Sequence, residues 1–237
     1  MTTRLLAFDT STERLAVAVR SAAGDGLADE AGGALASAAL LPRIRAMLAD
    51  AGLRLSDLDA VAFGRGPGAF TGLRTSCAVA QGLGLGLGCP LLPLDSLLIV
   101  AEDAREQAGA GDFDVGVAMD ARMDEAYAGR YRWASGRWQT LLPPALYTLA
   151  ALARQWHEPP AWACGSALAA FGDRLGLPAG VHRVAGERDR AAALLRLAQL
   201  AFDDGQGVDA ADALPLYLRD KVALTTQERE AVREAKK

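Results

Sequence analysis

Leu5–Val19 reads LLAFDTSTERLAVAV. A short apolar run, Leu5 to Phe8, ends at Asp9. A polar turn, Thr10 to Arg14, follows, and Leu15 to Val19 leads away from it. Short apolar runs bounded by turn residues read as buried strands. Gly24-Asp25-Gly26 is a turn signal and Leu27–Ala31 a third strand, which completes an antiparallel meander. The same order returns later. Val115–Met119 is apolar and ends at Asp120. Glu125–Trp133 alternates, with Ala126, Ala128 and Tyr131 set against Glu125, Arg130 and Arg132. Ser135-Gly136 turns the chain into Trp138–Leu142. Asp9 and Asp120 hold matching places, 111 residues apart. Little side-chain identity is shared by the copies; it is the order of elements that repeats. Two such halves predict an α/β chain, duplicated, with mixed sheets, joined in the Ala108–Asp112 loop.

Between the meanders the period changes. Leu40, Leu41, Ile44, Met47, Leu48 and Ala51 recur at three- and four-residue steps, so Ser37–Gly52 reads as an amphipathic helix. Ser37 suits its N-cap and Gly52 its C′ position. Leu58–Phe63 is a strand running into Gly64-Arg65-Gly66-Pro67-Gly68, and a second helix follows, Phe70–Leu87. Gly82, Gly84, Gly86 and Gly88 fall within or just after it. A glycine in a helix costs about 1 kcal/mol relative to alanine. The repetition points to close packing, or to a helix that stops near Gly82. Leu91–Leu94 is a strand, and Asp95 or Ser96 caps a third helix ending before Gly109. The second half continues with a helix over Leu146–Trp156, a strand over Ala161–Cys164, a short helix, and a strand over Val181–Val184. A helix over Arg188–Phe202, a Gly205–Asp212 loop and a last strand, Leu214–Leu218, follow. Thr225–Lys237 is a polar, frayed or loosely helical tail.

Composition excludes several functions. Twenty-five Lys and Arg against 29 Asp and Glu give a net charge of −4, a poor balance for a stand-alone nucleic-acid binder. Lys221, Lys236 and Lys237 are the only lysines, so no Gly-Lys-Ser/Thr phosphate loop exists. Cys77, Cys89 and Cys164 form no CxxC, and reduced cytoplasmic thiols are expected. Thr75–Leu94 is 20 residues without charge, the length of a membrane span. Its glycines, Pro90, Pro93 and Gln81 instead predict a helix, a stop and a strand.

Asp9-Thr10-Ser11 ends a buried strand. Its carboxylate and hydroxyls could meet a magnesium phosphate, or satisfy their own turn. Gly64–Gly72 (GRGPGAFTG) is either an anion-accepting loop before a helix or a rigid connection. It fits neither GxGxxG nor GxxxxGK[ST]. His157 and His182 are the only histidines. No HxxxH pair or GxSxG elbow accompanies them, and surface positions are expected for both.

Gly64–Arg74 (GRGPGAFTGLR), followed by Ala80-Gln81-Gly82-Leu83, closely resembles the signature of the TsaB (YeaZ) family. LLAFDTSTE (Leu5–Glu13), LLPRIRAML (Leu40–Leu48), MDARMDEAY (Met119–Tyr127) and PLYLRDKVA (Pro215–Ala223) agree with it, so the resemblance runs from Leu5 to Ala223. It implies the duplicated actin-like ATPase (ribonuclease H-like) fold, two βββαβα-type halves with mixed sheets. Residues 1–108 would form one actin-like domain carrying the partner-binding helices, and 109–213 the other. Residues 214–237 would pack back on the first and end in the polar tail. The family implies a non-catalytic scaffold in the machinery that places a threonylcarbamoyl group on N6 of the tRNA adenosine beside the anticodon. Its partners are the catalytic paralogue TsaD and the ATPase TsaE, with a homodimer when alone and tRNA met only through the complex. No cofactor is implied on this chain; ATP and magnesium belong to the assembled complex.

The same resemblance places partner contacts on Leu40, Leu41, Ile44, Met47 and Leu48 of the first helix. Phe70, Leu73, Arg74, Ala78, Gln81 and Gly82 of the second join them. On that reading Ile44→Glu abolishes pairing. Asp9, Thr10, Ser11 and Asp120 remain as a degenerate nucleotide site. The family often has His or a polar residue just before the first helix; here Ala36 stands in an alanine-rich run. The alternatives are an active ATP-dependent small-molecule kinase of the same superfamily and an actin-fold binding module for another process.

Overall fold

A computed structural model describes residues 2–219. The first sheet holds β1 (Leu5–Asp9), β2 (Arg14–Ser21), β3 (Gly24–Ala31), β4 (Ala60–Gly66) and β5 (Leu91–Asp95) in the order β3-β2-β1-β4-β5. The second holds β6 (Phe113–Asp120), β7 (Glu125–Ala134), β8 (Arg137–Thr148), β9 (Trp162–Cys164) and β10 (His182–Arg183) in the order β8-β7-β6-β9-β10. β1 pairs antiparallel with β2 and parallel with β4. β6 pairs antiparallel with β7 and parallel with β9. The two halves therefore share one topology, and the duplication and mixed sheets expected from the sequence are present.

Among the described residues six α-helices cover the sheets: α1 (Ala36–Asp50), α2 (Phe70–Leu87), α3 (Ser96–Ala108), α4 (Leu149–Gln155), α5 (Ala167–Phe171) and α6 (Arg190–Asp203). Side chains alternate across a strand, and the two faces of β1 and β2 differ in bulk. Leu6, Phe8, Leu15, Val17 and Val19 meet Leu40, Ile44, Met47 and Leu48 of α1 and Cys77 and Ala80 of α2. The opposite face carries Leu5, Ala7, Ala16 and Ala18, with Ala60 and Ala62 of β4, and receives Ala191, Leu194 and Ala198 of α6. That small-residue face lets a helix from the second half of the chain lie on the first sheet. The exchange is mutual. Leu97, Val100, Ala101 and Ala104 of α3 pack on Phe113, Val115 and Val117 of the second sheet. Where α3 and α6 meet, Glu102 accepts from Arg196 Nε at 2.6 Å, and the Asp103 carboxylate accepts the Arg188 and Asp189 N–H groups at 3.0 Å each.

Several boundaries differ from the sequence reading. Helix α1 starts at Ala36, so Ser37 lies inside it, and its N-cap, Leu35, makes no side-chain cap bond. Gly52 has φ +65°, as a C′ glycine should. Helix α2 continues to Leu87 and ends on left-handed Gly88. Of the later glycines in α2 only Gly84 is tight: a Cβ there would sit 2.9 Å from Leu91, whereas Gly82 and Gly86 face open space. Strand β8 runs on through Pro143-Pro144 to Thr148, which caps α4 at Leu149 rather than Leu146. Proline is tolerated there because β8 is an edge strand. Leu214–Leu218 is not a strand but an extended segment, bonded from Leu216 N–H to the Arg65 carbonyl at 2.7 Å. The polar tail and all three lysines lie outside the described residues. No described helix is long and apolar enough to cross a membrane.

Candidate functional site

A cavity of about 560 Å³ opens between the ends of the two sheets, lined among others by Ser11, Pro67, Gly68, Ser96, Asp120, Ser166, Glu187 and Arg190. Asp9 sits behind it, at the end of a strand with no exposed residue. Its Oδ1 accepts the Ser11 N–H at 2.5 Å. Its Oδ2 accepts the Ser11 hydroxyl at 3.0 Å, the Ser96 hydroxyl at 3.3 Å and Arg190 Nη2 at 2.7 Å. The Arg190 side chain is 1% exposed. Its Nη1 donates to Glu187 at 2.5 Å. Burial alone would pull the guanidinium down, but the charges of Glu187 and Asp9 more than offset it and hold it above its ordinary value.

Thr10 is turned to the opposite side, toward α2. Its N–H donates to Ser76 Oγ at 3.1 Å and its hydroxyl to the Gly72 carbonyl at 2.8 Å. Gly64 and Gly72 allow this closeness. A Cβ would lie 2.3 Å from the Asp9 carboxylate at Gly64 and 1.8 Å from the Thr10 carbonyl at Gly72. The glycine-rich stretch is thus a rigid connection wrapped on the first turn. The Asp9-Thr10-Ser11 set does not fit a magnesium phosphate, because its oxygens are already engaged within the chain.

Asp120 occupies the equivalent strand end but stands in the cavity wall. Its N–H donates to Ser166 Oγ at 3.0 Å, and its Oδ1 accepts the Arg122 N–H at 2.8 Å. Arg122, Met123 and Asp124 follow in the left-handed region, with φ of 65°, 58° and 58°. Each such non-glycine residue costs on the order of 1 kcal/mol. The structure therefore separates the four candidate residues: Ser11 and Asp120 reach the cavity, while Asp9 and Thr10 serve internal contacts. His157 and His182 are both exposed.

The candidate partner residues also divide. Leu40, Ile44, Met47, Leu48 and Leu73 are buried in the chain's own core. Ile44 is 1% exposed, so Ile44→Glu would disrupt the fold and cannot report on an interface. Leu41 (49% exposed), Arg74, Ala78 and Gly82 face outward, and Leu85 (82%) extends that face. Phe70 and Gln81 are half-buried. Arg74 lies over the Phe70 ring at 3.9 Å, and Gln81 Nε2 donates to the Ala213 carbonyl at 3.1 Å.

The sequence reading missed Arg190, Glu187, Ser96 and Ser76. Arg190 had a usable signal. It shares a helical face with Leu194, Leu197 and Ala201, which is the wrong face for a solvated arginine.

Two mixed five-stranded sheets of one topology, with a cavity between their strand ends, define a duplicated actin-like, ribonuclease H-like protein. The family model described as TsaD: tRNA N6-adenosine threonylcarbamoyltransferase matches residues 25–203. The tRNA threonylcarbamoyladenosine biosynthesis protein TsaB of Haemophilus influenzae is 31% identical over 92% of this chain and 94% of its own length. TsaB of Escherichia coli is 33% identical over 93% of this chain and 96% of its own. The structure of YeaZ from Pseudomonas aeruginosa superposes with a TM-score of 0.80 at 37% identity, covering 91% of this chain and 100% of that one. The chain belongs to the TsaB (YeaZ) family of the actin-like ATPase superfamily.

Proposed function

We propose that this chain works in the biosynthesis of threonylcarbamoyladenosine in tRNA as a non-catalytic subunit. It docks on the catalytic paralogue TsaD and activates it, with TsaE as the third member. The observation that carries the non-catalytic reading is the Asp9–Arg190 pair. The carboxylate that ends the first strand, behind the cavity, is neutralised inside the protein by a buried arginine at 2.7 Å. A charge pair of this kind is strongly destabilised when one partner is lost, so Asp9 is held in place rather than free to exchange ligands.

The docking surface is the outward side of α1 and α2, not their inward stripe. Leu41 and Leu85 are exposed leucines, and the open glycines Gly82 and Gly86 let another backbone approach closely. Arg74, Ala78 and Gly82 lie on the same side of α2. The same face would serve a homodimer in the absence of the paralogue. tRNA is met through the assembled complex, in the cytoplasm. The division into residues 1–108, 109–213 and 214–237 belongs to this proposal.

Size-exclusion chromatography with light scattering tests it, using the same organism's TsaD. A one-to-one complex is expected, and Leu41→Glu with Leu85→Glu should abolish it while leaving the circular dichroism spectrum unchanged. If the chain ignores TsaD and instead binds magnesium ATP tightly alone, the kinase reading replaces this one.

A further inference from the structure

Ala213 to Arg219 runs along the rim of the cavity and touches both halves. Its first anchor is the Ala213 carbonyl, which accepts from Gln81 Nε2 at 3.1 Å and Cys77 Sγ at 3.2 Å, both on α2. Leu216 then donates its N–H to the Arg65 carbonyl at 2.7 Å. Gly66 beside it has φ +109°, and a Cβ there would lie 3.0 Å from the Leu216 carbonyl. The Tyr217 ring stands 5.1 Å from that of Phe70, and its hydroxyl accepts from Arg74 Nε at 3.3 Å. Arg219 finally reaches the second half. Its Nη2 donates to the Ala121 carbonyl at 3.0 Å and pairs with Glu125 at 2.7 Å, on either side of the left-handed turn.

We propose that Ala213–Arg219 is a strap that couples occupation of the outer face of α2 to loosening of the cavity rim. This rests on the docking reading above. Arg74 belongs to both arrangements. In the free chain it holds Tyr217 through a neutral acceptor at 3.3 Å. A docked helix that offers a carboxylate gives a charge-assisted bond roughly twice as strong, and so takes Arg74 from the strap. Tyr217 then keeps only its aromatic contact, and the tie from Arg219 to the β6–β7 turn loses its upstream support. Coupling of this kind is reciprocal: weakening the strap favours docking.

Hydrogen exchange on the full chain tests the strap without any partner. Arg74→Ala should raise exchange several-fold at the Leu216, Ala121 and Glu125 amides and leave α6 unchanged. A rise confined to the first turn of α2 overturns the proposal. The second arm uses Tyr217→Phe, which removes only the acceptor oxygen. It should bind TsaD roughly threefold to tenfold more tightly than the unaltered chain, the worth of one hydrogen bond. Equal or weaker binding overturns the coupling. If the unaltered chain forms no complex, the docking reading falls, and the exchange comparison in the free chain still decides whether the strap carries the signal.

Discussion

Asp9 and Asp120 close equivalent strands in two halves of one topology, yet they are satisfied in opposite ways. Asp9 is met by an arginine 181 residues further along the chain, and both side chains are buried. Asp120 is met by the N–H two residues ahead, in a cavity wall, with the Arg122 guanidinium a loose 3.6 Å away. The first arrangement ties α6 to the first sheet. The second shapes only its own turn. Equal place in a fold therefore does not mean equal duty: the energetic weight of a carboxylate is set by its burial and by the reach of its partner.

The largest effect is expected where that weight is greatest. Arg190→Ala leaves Asp9 and Glu187 without their shared cation and should cost about 3–5 kcal/mol, read by urea unfolding. Asp9→Asn with Arg190→Met should recover part of it, since neutral groups need no counter-charge. A cost for Arg190→Ala like that of a surface change would erase the contrast between the halves. Gly72→Ala comes next. The backbone atoms facing its Cβ cannot step aside as a flexible side-chain end would, so a loss of about 1–3 kcal/mol or more is expected, seen as a lower Tm. A stable Gly72→Ala would show that the first turn is looser than its contacts imply.

A smaller effect concerns Asp95, which joins the two sheets by accepting the Tyr131 hydroxyl at 2.5 Å. Burial raises its carboxyl above the ordinary 3.8, opposed by the bond from Tyr131. The folded chain thus binds a proton that the unfolded chain has released, and unfolding free energy falls as pH rises from about 3.8 through the raised value. Asp95→Asn should remove that part of the slope, so that the variant gains on the unaltered chain as pH rises. Parallel stability curves in chemical unfolding between acid and neutral pH would refute this. Asp120→Asn should fall within about 0.5 kcal/mol of the unaltered chain. A larger loss would mean that the second turn is more than local.

Much of this was legible locally. The apolar runs before Asp9 and Asp120 gave their strands, and the three- and four-residue steps gave α1; α2 followed from the glycine-rich turn before it and the proline after it. Gly52 and Gly109 marked helix ends because they adopt positive φ. What was not legible depends on contacts between distant residues. Leu40, Ile44 and Leu41 all belong to the apolar pattern of α1, but only the sheet beneath decides that the first two are core and the third is surface. Leu214–Leu218 has strand-like composition, yet among the described residues one bond, from Leu216 N–H to the Arg65 carbonyl, ties it to β4 and it forms no ladder. The place of Arg190 on an apolar helical face marks it as a buried arginine, but its partner, Asp9, lies 181 residues away and only the fold brings the two together.

The exchange of α3 and α6 bears on how the protein is made. The alanine face of β1 and β2 waits for a helix that begins at Arg190. At 5–20 residues per second, roughly 5–20 s of synthesis separates the end of β5 from the end of α6. Throughout that interval an emerging chain carries one uncovered apolar face of its first sheet. The first half is therefore a client for whatever shields nascent chains at the ribosome, and a message broken between Gly109 and Asp189 would yield a product prone to clump rather than a smaller working protein.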